Sequence, residues 1–172
     1  MAQKIPLTLG FANLSGDDLA PIASEDVAAL SPLFENTRVV PPHQAPSADV
    51  LFLYVHLNED GSVPAGQRKS SVRQIAELTK SKIVVVASPN SGDSIKNAGG
   101  LPGPRVANIV FTLSRNGKGF AEFFYTLFDR MRGGESMLSA WVKLAPQSPN
   151  PVPTNAPGTI LLAEAGNLAF PK

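Results

Sequence analysis

The chain has 172 residues, 43% of them apolar, which is enough to bury the core of one domain. Fifteen Lys and Arg residues against fourteen Asp and Glu residues give a net charge of +1. That balance excludes the strong positive field that draws proteins to nucleic acids or anionic membranes. The absence of cysteine excludes disulfides, thiolate metal sites and thiol nucleophiles.

Two strands and one helix are predicted in the first third of the chain. Apolar residues alternate with others over residues 5–11, which is the period of a strand with one buried face. Residues 24–34 are predicted to form a helix capped by Ser24. A brief strand is predicted over residues 37–40, before the first of two consecutive prolines.

Three apolar runs of strand length follow, at residues 50–55, 83–87 and 107–111, and the last of them contains one polar residue, Asn108. Such runs belong to strands that are covered on both faces, so we expect three parallel neighbours in the middle of one sheet. A helix is predicted over residues 67–80. Residues 97–104 are too rich in Gly and Pro to predict regular structure. The longest of the runs is far shorter than the roughly 20 residues of a membrane span, and no secretory leader is visible, so we expect a cytoplasmic protein.

The last third predicts two helices, a tether and a hairpin. Apolar residues recur at helical spacing between Phe120 and Met131, a complete amphipathic stripe. A second helix is predicted at residues 137–144, and a proline-rich tether follows at residues 146–158. Two strands of a hairpin are predicted at residues 159–165 and 168–170. Residues 1–172 are therefore predicted to form a single α/β domain, a three-layer sandwich with a mainly parallel central sheet and a C-terminal hairpin.

Polar residues follow two of the buried strands where each one ends. His56 follows the first apolar run, and Ser88 and Ser91 follow the second. If these strands are neighbours, the carboxyl ends of the sheet could bring a general base close to a nucleophile.

These strand ends resemble the caspase-like fold, in particular the CHAT-type branch of the cysteine peptidases. In that family one strand runs into a catalytic His-Gly, and the next runs into a catalytic cysteine that is shortly followed by glycine. The similarity spans roughly residues 48–145. It includes a phenylalanine-rich helix over residues 119–132 and a later helix that contains Ala140 and Trp141.

The resemblance places His56 at the general base of the family, but Leu57 stands where the family has glycine. Pro89 stands at the position of the nucleophilic cysteine. Proline has no nucleophilic atom and no N–H to offer an oxyanion. The resemblance therefore implies a peptidase fold that has lost its peptidase chemistry.

Three functions remain open from the sequence. The first is a non-catalytic, caspase-like domain that binds another protein or itself. The second is a hydrolase that pairs His56 with a serine of residues 88–94. A serine oxygen close to His56 would favour the hydrolase, and a filled strand end would favour the binding domain.

The third is a small-molecule or phosphate binder, because two glycines precede the N-terminus of the phenylalanine-rich helix. Its candidate ligand-binding residues are Arg115, Asn116, Gly117 and Gly119. The Walker and dinucleotide-binding sequence patterns are both absent. His56 with the carboxylates of Glu59 and Asp60 offers too few ligands to predict a metal site. We therefore expect no cofactor, no metal, no nucleic acid partner and no membrane partner.

Overall fold

A computed structural model describes residues 2–65, 68–144 and 157–172 of the chain. Almost all of the predicted tether, residues 146–156, lies outside the described residues. The strands are β1 (Ile5–Asn13), β2 (Phe34–Val39), β3 (Val50–Tyr54), β4 (Val63–Ala65), β5 (Arg68–Ser70), β6 (Ile83–Pro89), β7 (Asn108–Ser114) and β8 (Gly158–Leu162). The α-helices are α1 (Ala20–Leu30), α2 (Val72–Thr79), α3 (Gly92–Gly100), α4 (Gly119–Arg132) and α5 (Met137–Leu144), and a 3-10 turn (Ser31–Leu33) follows α1.

Six of these strands form one sheet in the order β2-β1-β3-β6-β7-β8. Every neighbouring pair is parallel except β7 and β8, which are antiparallel. The prediction that the three apolar runs are parallel neighbours at the centre is confirmed, because β3, β6 and β7 lie side by side. A mainly parallel α/β sandwich is therefore the architecture of the chain.

The two faces of the sheet are covered by different helices. Apolar residues of α1, α4 and α5 pack on one face, and those of α2 and α3 pack on the other. This double cover explains why β3 and β6 show no polar alternation. The predicted stripe of α4 lies in the first of these layers, where the ring of Phe52 contacts those of Phe120, Phe124 and Phe128.

Two helix boundaries differ from the prediction for local reasons. Helix α1 begins at Ala20, four residues before Ser24, with a proline in its first turn, where the missing N–H costs nothing. Helix α2 begins at Val72 and not at residue 67, because Ser71 caps it in a reciprocal capping box with Gln74. The residues just before it pair as β5 with β4 in a separate antiparallel ribbon.

Helix α3 occupies a segment whose second half was predicted to be irregular. The side chain of Ser91 caps it by accepting from the backbone N–H of Ser94. The loop after β3 packs on it so closely that a Cβ at Gly61 would lie 2.1 Å from the backbone nitrogen of Ala98. Gly61 also has a φ of +83°, so both its conformation and its contact require glycine.

The C-terminal antiparallel pair is present, but its partners differ from the predicted hairpin. Strand β8 pairs with β7, and residues 168–170 form no strand. That final segment instead packs against the α1, α4 and α5 layer through Leu168 and Phe170. The carbonyl of Leu168 accepts from the N–H of Met137, at the start of α5.

Candidate functional site

The sheet changes its direction of winding between β1 and β3. The chain leaves β1 through α1 towards β2, and it leaves β3 through α2 towards β6 on the opposite side. In open parallel sheets, the crevice beyond the carboxyl ends at such a point is where ligands usually bind. Here it is bounded by the loops that follow Asn13 and Tyr54.

The loop after β1 is shaped by the side chain of Asn13. Its Oδ1 accepts from the backbone N–H groups of Ser15 and Gly16, and its Nδ2 donates to the carbonyl of Gly16. Gly16 adopts a φ of +90°, which the tight turn requires. The turn carries Ser15 and Asp18 to the mouth of the crevice.

His56 lies at this crevice and interacts with both of those residues. Its backbone N–H donates to Oγ of Ser15 over 2.8 Å, and its Nε2 lies 2.5 Å from Oδ2 of Asp18. The side chains of His56 and Asp18 are 55% and 60% exposed, so the pair faces solvent. The hydrogen bond with His56 lowers the pKa of the Asp18 carboxyl. Sequence reasoning had missed Ser15 and Asp18, because they lie in the loop after β1, 41 and 38 residues away from His56 in the chain.

The hydroxyl of Ser88 is buried, and its hydrogen bonds are to the backbone of Val55, the residue that follows β3. Its Oγ accepts from the N–H of Val55 over 2.8 Å and donates to the carbonyl of the same residue over 2.7 Å. Ser88 has no exposed surface. Strand β3 ends at Tyr54 while β6 continues to Pro89, so the side chain of Ser88 replaces the hydrogen bonds of a ladder that has stopped.

Asn90 fills the rest of the same strand end. Its Oδ1 accepts from the N–H of Leu57 over 2.8 Å, and its Nδ2 donates to the carbonyl of Val55 over 3.1 Å. Between β3 and β6 the strand end is thus filled by hydrogen-bonded side chains. In the described residues, no hydrogen bond joins the His56 ring to Ser88 or Ser91.

Ser91 and Pro89 complete the set of residues predicted at this edge. The Oγ of Ser91 is the cap of α3, so its lone pair faces a backbone N–H. It also donates to Oγ of Ser94. Pro89 is the exposed last residue of β6 and lies opposite Thr112 of β7. Ser88 and Ser91 therefore both have structural roles, Ser88 at the end of β3 and Ser91 at the start of α3.

Arg115 lies in a buried polar network that the sequence did not reveal. Its guanidinium donates two hydrogen bonds to the carboxylate of Asp26, over 2.8 and 2.9 Å, and a third to the carbonyl of Ala87. Its Cζ lies 3.9 Å from the centre of the Phe120 ring. The hydroxyl of Tyr54 donates to the same carboxylate over 2.6 Å. The guanidinium is thus hydrogen-bonded to groups of the protein, whereas the anion-binding hypothesis needs it to be available to a bound anion.

Burial of this network shifts the ionisation of its members. Asp26 has no exposed surface, and its burial raises the pKa of the carboxyl, although the hydrogen bonds from Arg115 oppose the rise. Burial also raises the pKa of the Tyr54 hydroxyl well above its ordinary value, and the neighbouring Asp26 charge adds to that effect. The network therefore acts as a paired charge inside the fold.

The other residues of the anion-binding hypothesis form a turn. The carbonyl of Asn116 accepts from the N–H of Gly119, and Gly117 adopts a φ of +53°. Gly119 is buried as the first residue of α4. This turn leads the chain from β7 into α4, so its glycines have a conformational role whether or not it meets an anion.

Within residues 2–65, 68–144 and 157–172, no three His, Asp or Glu side chains cluster as a metal site would require. Over the same residues, no helix has the length and apolarity needed to cross a bilayer. No protein-family model matches the chain, and a search of curated proteins also found no match.

Proposed function

We propose that this chain is a caspase-like domain that carries out no peptidase chemistry and acts by binding. The observation that carries the proposal is the hydroxyl of Ser88, which is buried and bonded to both backbone groups of Val55. A serine in that position stabilises the strand end and is closed to a substrate carbonyl.

The arrangement of the strands supports the caspase-like part of the proposal. The resemblance implies that the histidine follows one strand and that the position of the lost nucleophile follows the neighbouring strand. Strands β3 and β6 are parallel neighbours, and His56 and Pro89 lie at their carboxyl ends. Within the described part of the six-stranded sheet, the strand that runs antiparallel to its neighbour, β8, lies at the edge opposite β2.

The chemistry of the edge supports the non-catalytic part. His56 keeps a carboxylate partner in Asp18, and a base with an orienting carboxylate is two thirds of a catalytic triad. Among the described residues, no serine hydroxyl is hydrogen-bonded to the His56 ring. Nucleophilic attack by Ser88 would require its Oγ to leave two short hydrogen bonds and would leave the buried N–H of Val55 without an acceptor. Pro89 supplies neither nucleophile nor oxyanion donor.

The test is covalent labelling with a fluorophosphonate probe, read by intact mass. We expect no adduct on the wild-type chain or on its His56→Ala and Ser15→Ala variants, under conditions that label an unrelated serine hydrolase completely. Stoichiometric labelling that disappears in His56→Ala would overturn the proposal and establish the hydrolase alternative. Loss of that label in Ser15→Ala would further identify Ser15 as the nucleophile.

A further inference from the structure

We propose that Asn116 is a site of covalent self-modification, at which water converts the side-chain amide into aspartate or isoaspartate in the folded protein. Asparagine is among the chemically labile residues of proteins. The reaction needs no enzyme and no cofactor, and it is independent of the proposed binding function. It places a new carboxylate at the turn that leads from β7 into α4.

The reaction begins when the backbone nitrogen of Gly117 attacks Cγ of the Asn116 side chain. The bond from this nitrogen to Cγ forms, the bond from Cγ to Nδ2 breaks, and the proton of the N–H leaves with Nδ2 as ammonia. The product is a succinimide ring. Water then adds to one of the two ring carbonyls and opens the ring, so one water is consumed and one ammonia is released. Opening at one carbonyl gives aspartate, and opening at the other gives isoaspartate.

The turn leaves both reacting groups accessible. Asn116 and Gly117 are exposed. Within the described residues, neither the side-chain amide of Asn116 nor the N–H of Gly117 has a hydrogen-bond partner. Asn116 is also the only asparagine in the sequence that is followed by glycine. Glycine has no Cβ to shield its nitrogen, and it changes its backbone conformation at little steric cost, so ring closure meets little resistance here.

A second loop shows how the fold can protect such a pair. Asp60 is followed by Gly61 and could form the same ring. Its carboxylate accepts from the N–H of Ser62 over 2.9 Å and from Nζ of Lys69 over 3.1 Å, and the N–H of Gly61 donates to the carbonyl of Asn58 over 2.9 Å. The hydrogen bonds from Ser62, with that from Lys69, lower the pKa of the Asp60 carboxyl to about 2. An ionised carboxylate resists attack by a nitrogen, so both reacting groups of this pair are protected.

The two products differ in what they do to the turn before α4. Either product adds one negative charge, which brings the net charge from +1 to zero. In the isoaspartate product the main chain runs through the former side chain, and the former carbonyl of Asn116 becomes a free carboxylate. In the unmodified turn that carbonyl accepts from the N–H of Gly119 over 3.2 Å. Isoaspartate should therefore loosen the start of α4, next to the buried ion pair of Arg115, whereas aspartate keeps the turn.

The experiment incubates the full chain in mildly alkaline buffer and follows it by chymotryptic peptide mapping. Electron-transfer fragmentation locates the modification and separates aspartate from isoaspartate. We expect the peptide that contains Asn116 to gain the mass that distinguishes OH from NH₂, and to gain it faster as the pH rises, because the attacking nitrogen must lose its proton. Asn116→Gln should lose the modification, since its longer side chain closes a larger ring more slowly. Asn36, which is exposed and followed by threonine, is the internal control and should stay intact.

A parallel incubation in urea separates the effect of the fold from that of the sequence. Asn116 should react at a comparable rate in the folded and the unfolded chain, because the fold does not protect it. Isoaspartate at Asp60 should form only in the unfolded chain. In urea denaturation, a sample rich in isoaspartate at residue 116 should unfold at a lower midpoint than Asn116→Asp.

Several results would overturn the inference. An intact Asn116 in the folded chain after the unfolded chain has reacted would show that the turn protects the amide. An unchanged rate in Gly117→Ala, whose added methyl group shields the nitrogen, would exclude attack by that nitrogen. Isoaspartate at Asp60 of the folded chain as early as at Asn116 would show that hydrogen bonding does not decide which pair reacts.

Discussion

Replacing Ser88 with alanine tests whether its hydroxyl holds the end of β3 in place. The substitution removes the side-chain acceptor of the Val55 N–H, at a position with no exposed surface. The carbonyl of Val55 keeps the hydrogen bond from Asn90, so a single buried group loses its partner. We therefore expect the free energy of unfolding to fall by about 1–3 kcal/mol, the cost of one unsatisfied buried donor.

The measurement is urea denaturation followed by circular dichroism, with Ser47→Ala as the control. Ser47 is exposed, and its contribution is a backbone carbonyl that the substitution keeps, so its midpoint should not move. Asn90→Ala should also destabilise the chain, because the N–H of Leu57 loses its acceptor. A Ser88→Ala midpoint equal to wild type would refute the structural role of this hydroxyl and reopen the question of its chemistry.

Three further predictions concern the core and the buried charges. Phe124→Ala should lower the free energy of unfolding by about 3–5 kcal/mol in the same denaturation assay, because it removes a fully buried ring; an unchanged midpoint would place that ring at the surface. Asp26→Asn should cost about 3–5 kcal/mol, since Arg115 would keep a buried charge without its carboxylate, and a free energy of unfolding equal to that of wild type would contradict this role of the pair. Hydrogen bonds from Arg73 lower the pKa of Glu164. The pair therefore stabilises the folded chain fully at a pH above the ordinary glutamate pKa, and this stabilisation is lost as the pH falls through the lowered pKa. Thermal unfolding between neutral pH and pH 3 should therefore show a shallower decline in Glu164→Gln than in wild type.

The central sheet could be predicted because its signal is local. An uninterrupted apolar run of strand length is visible in residues 83–87 without knowledge of any partner, and the same holds for the stripe of α4. Helix α3 was missed because it ends in Gly99 and Gly100 and carries few apolar residues. Its stability comes from the cap at Ser91 and from contact with the loop that contains Gly61.

The site could be predicted only in part, because its contacts depend on the order of strands. The sequence located His56 at a strand end but suggested a partner on the next strand along the chain. The observed partner, Asp18, follows β1, which becomes a neighbour of β3 only when the sheet forms. The consecutive carboxylates of Asp17 and Asp18 after a predicted strand were the available signal. Nothing in the sequence around Asp26 or Arg115 indicates that the two side chains form a buried ion pair.

Residues 5–37 hold five of the fourteen carboxylates and none of the fifteen Lys and Arg residues, although the net charge of the chain is only +1. Two of the five, Asp18 and Asp26, are bonded to other side chains, so three carboxylates are left to carry the exposed negative charge of this segment. Surface charges act over only about 8 Å at physiological ionic strength. A charged partner would therefore sense them at close range, and its rate of association with this protein should depend only weakly on the salt concentration.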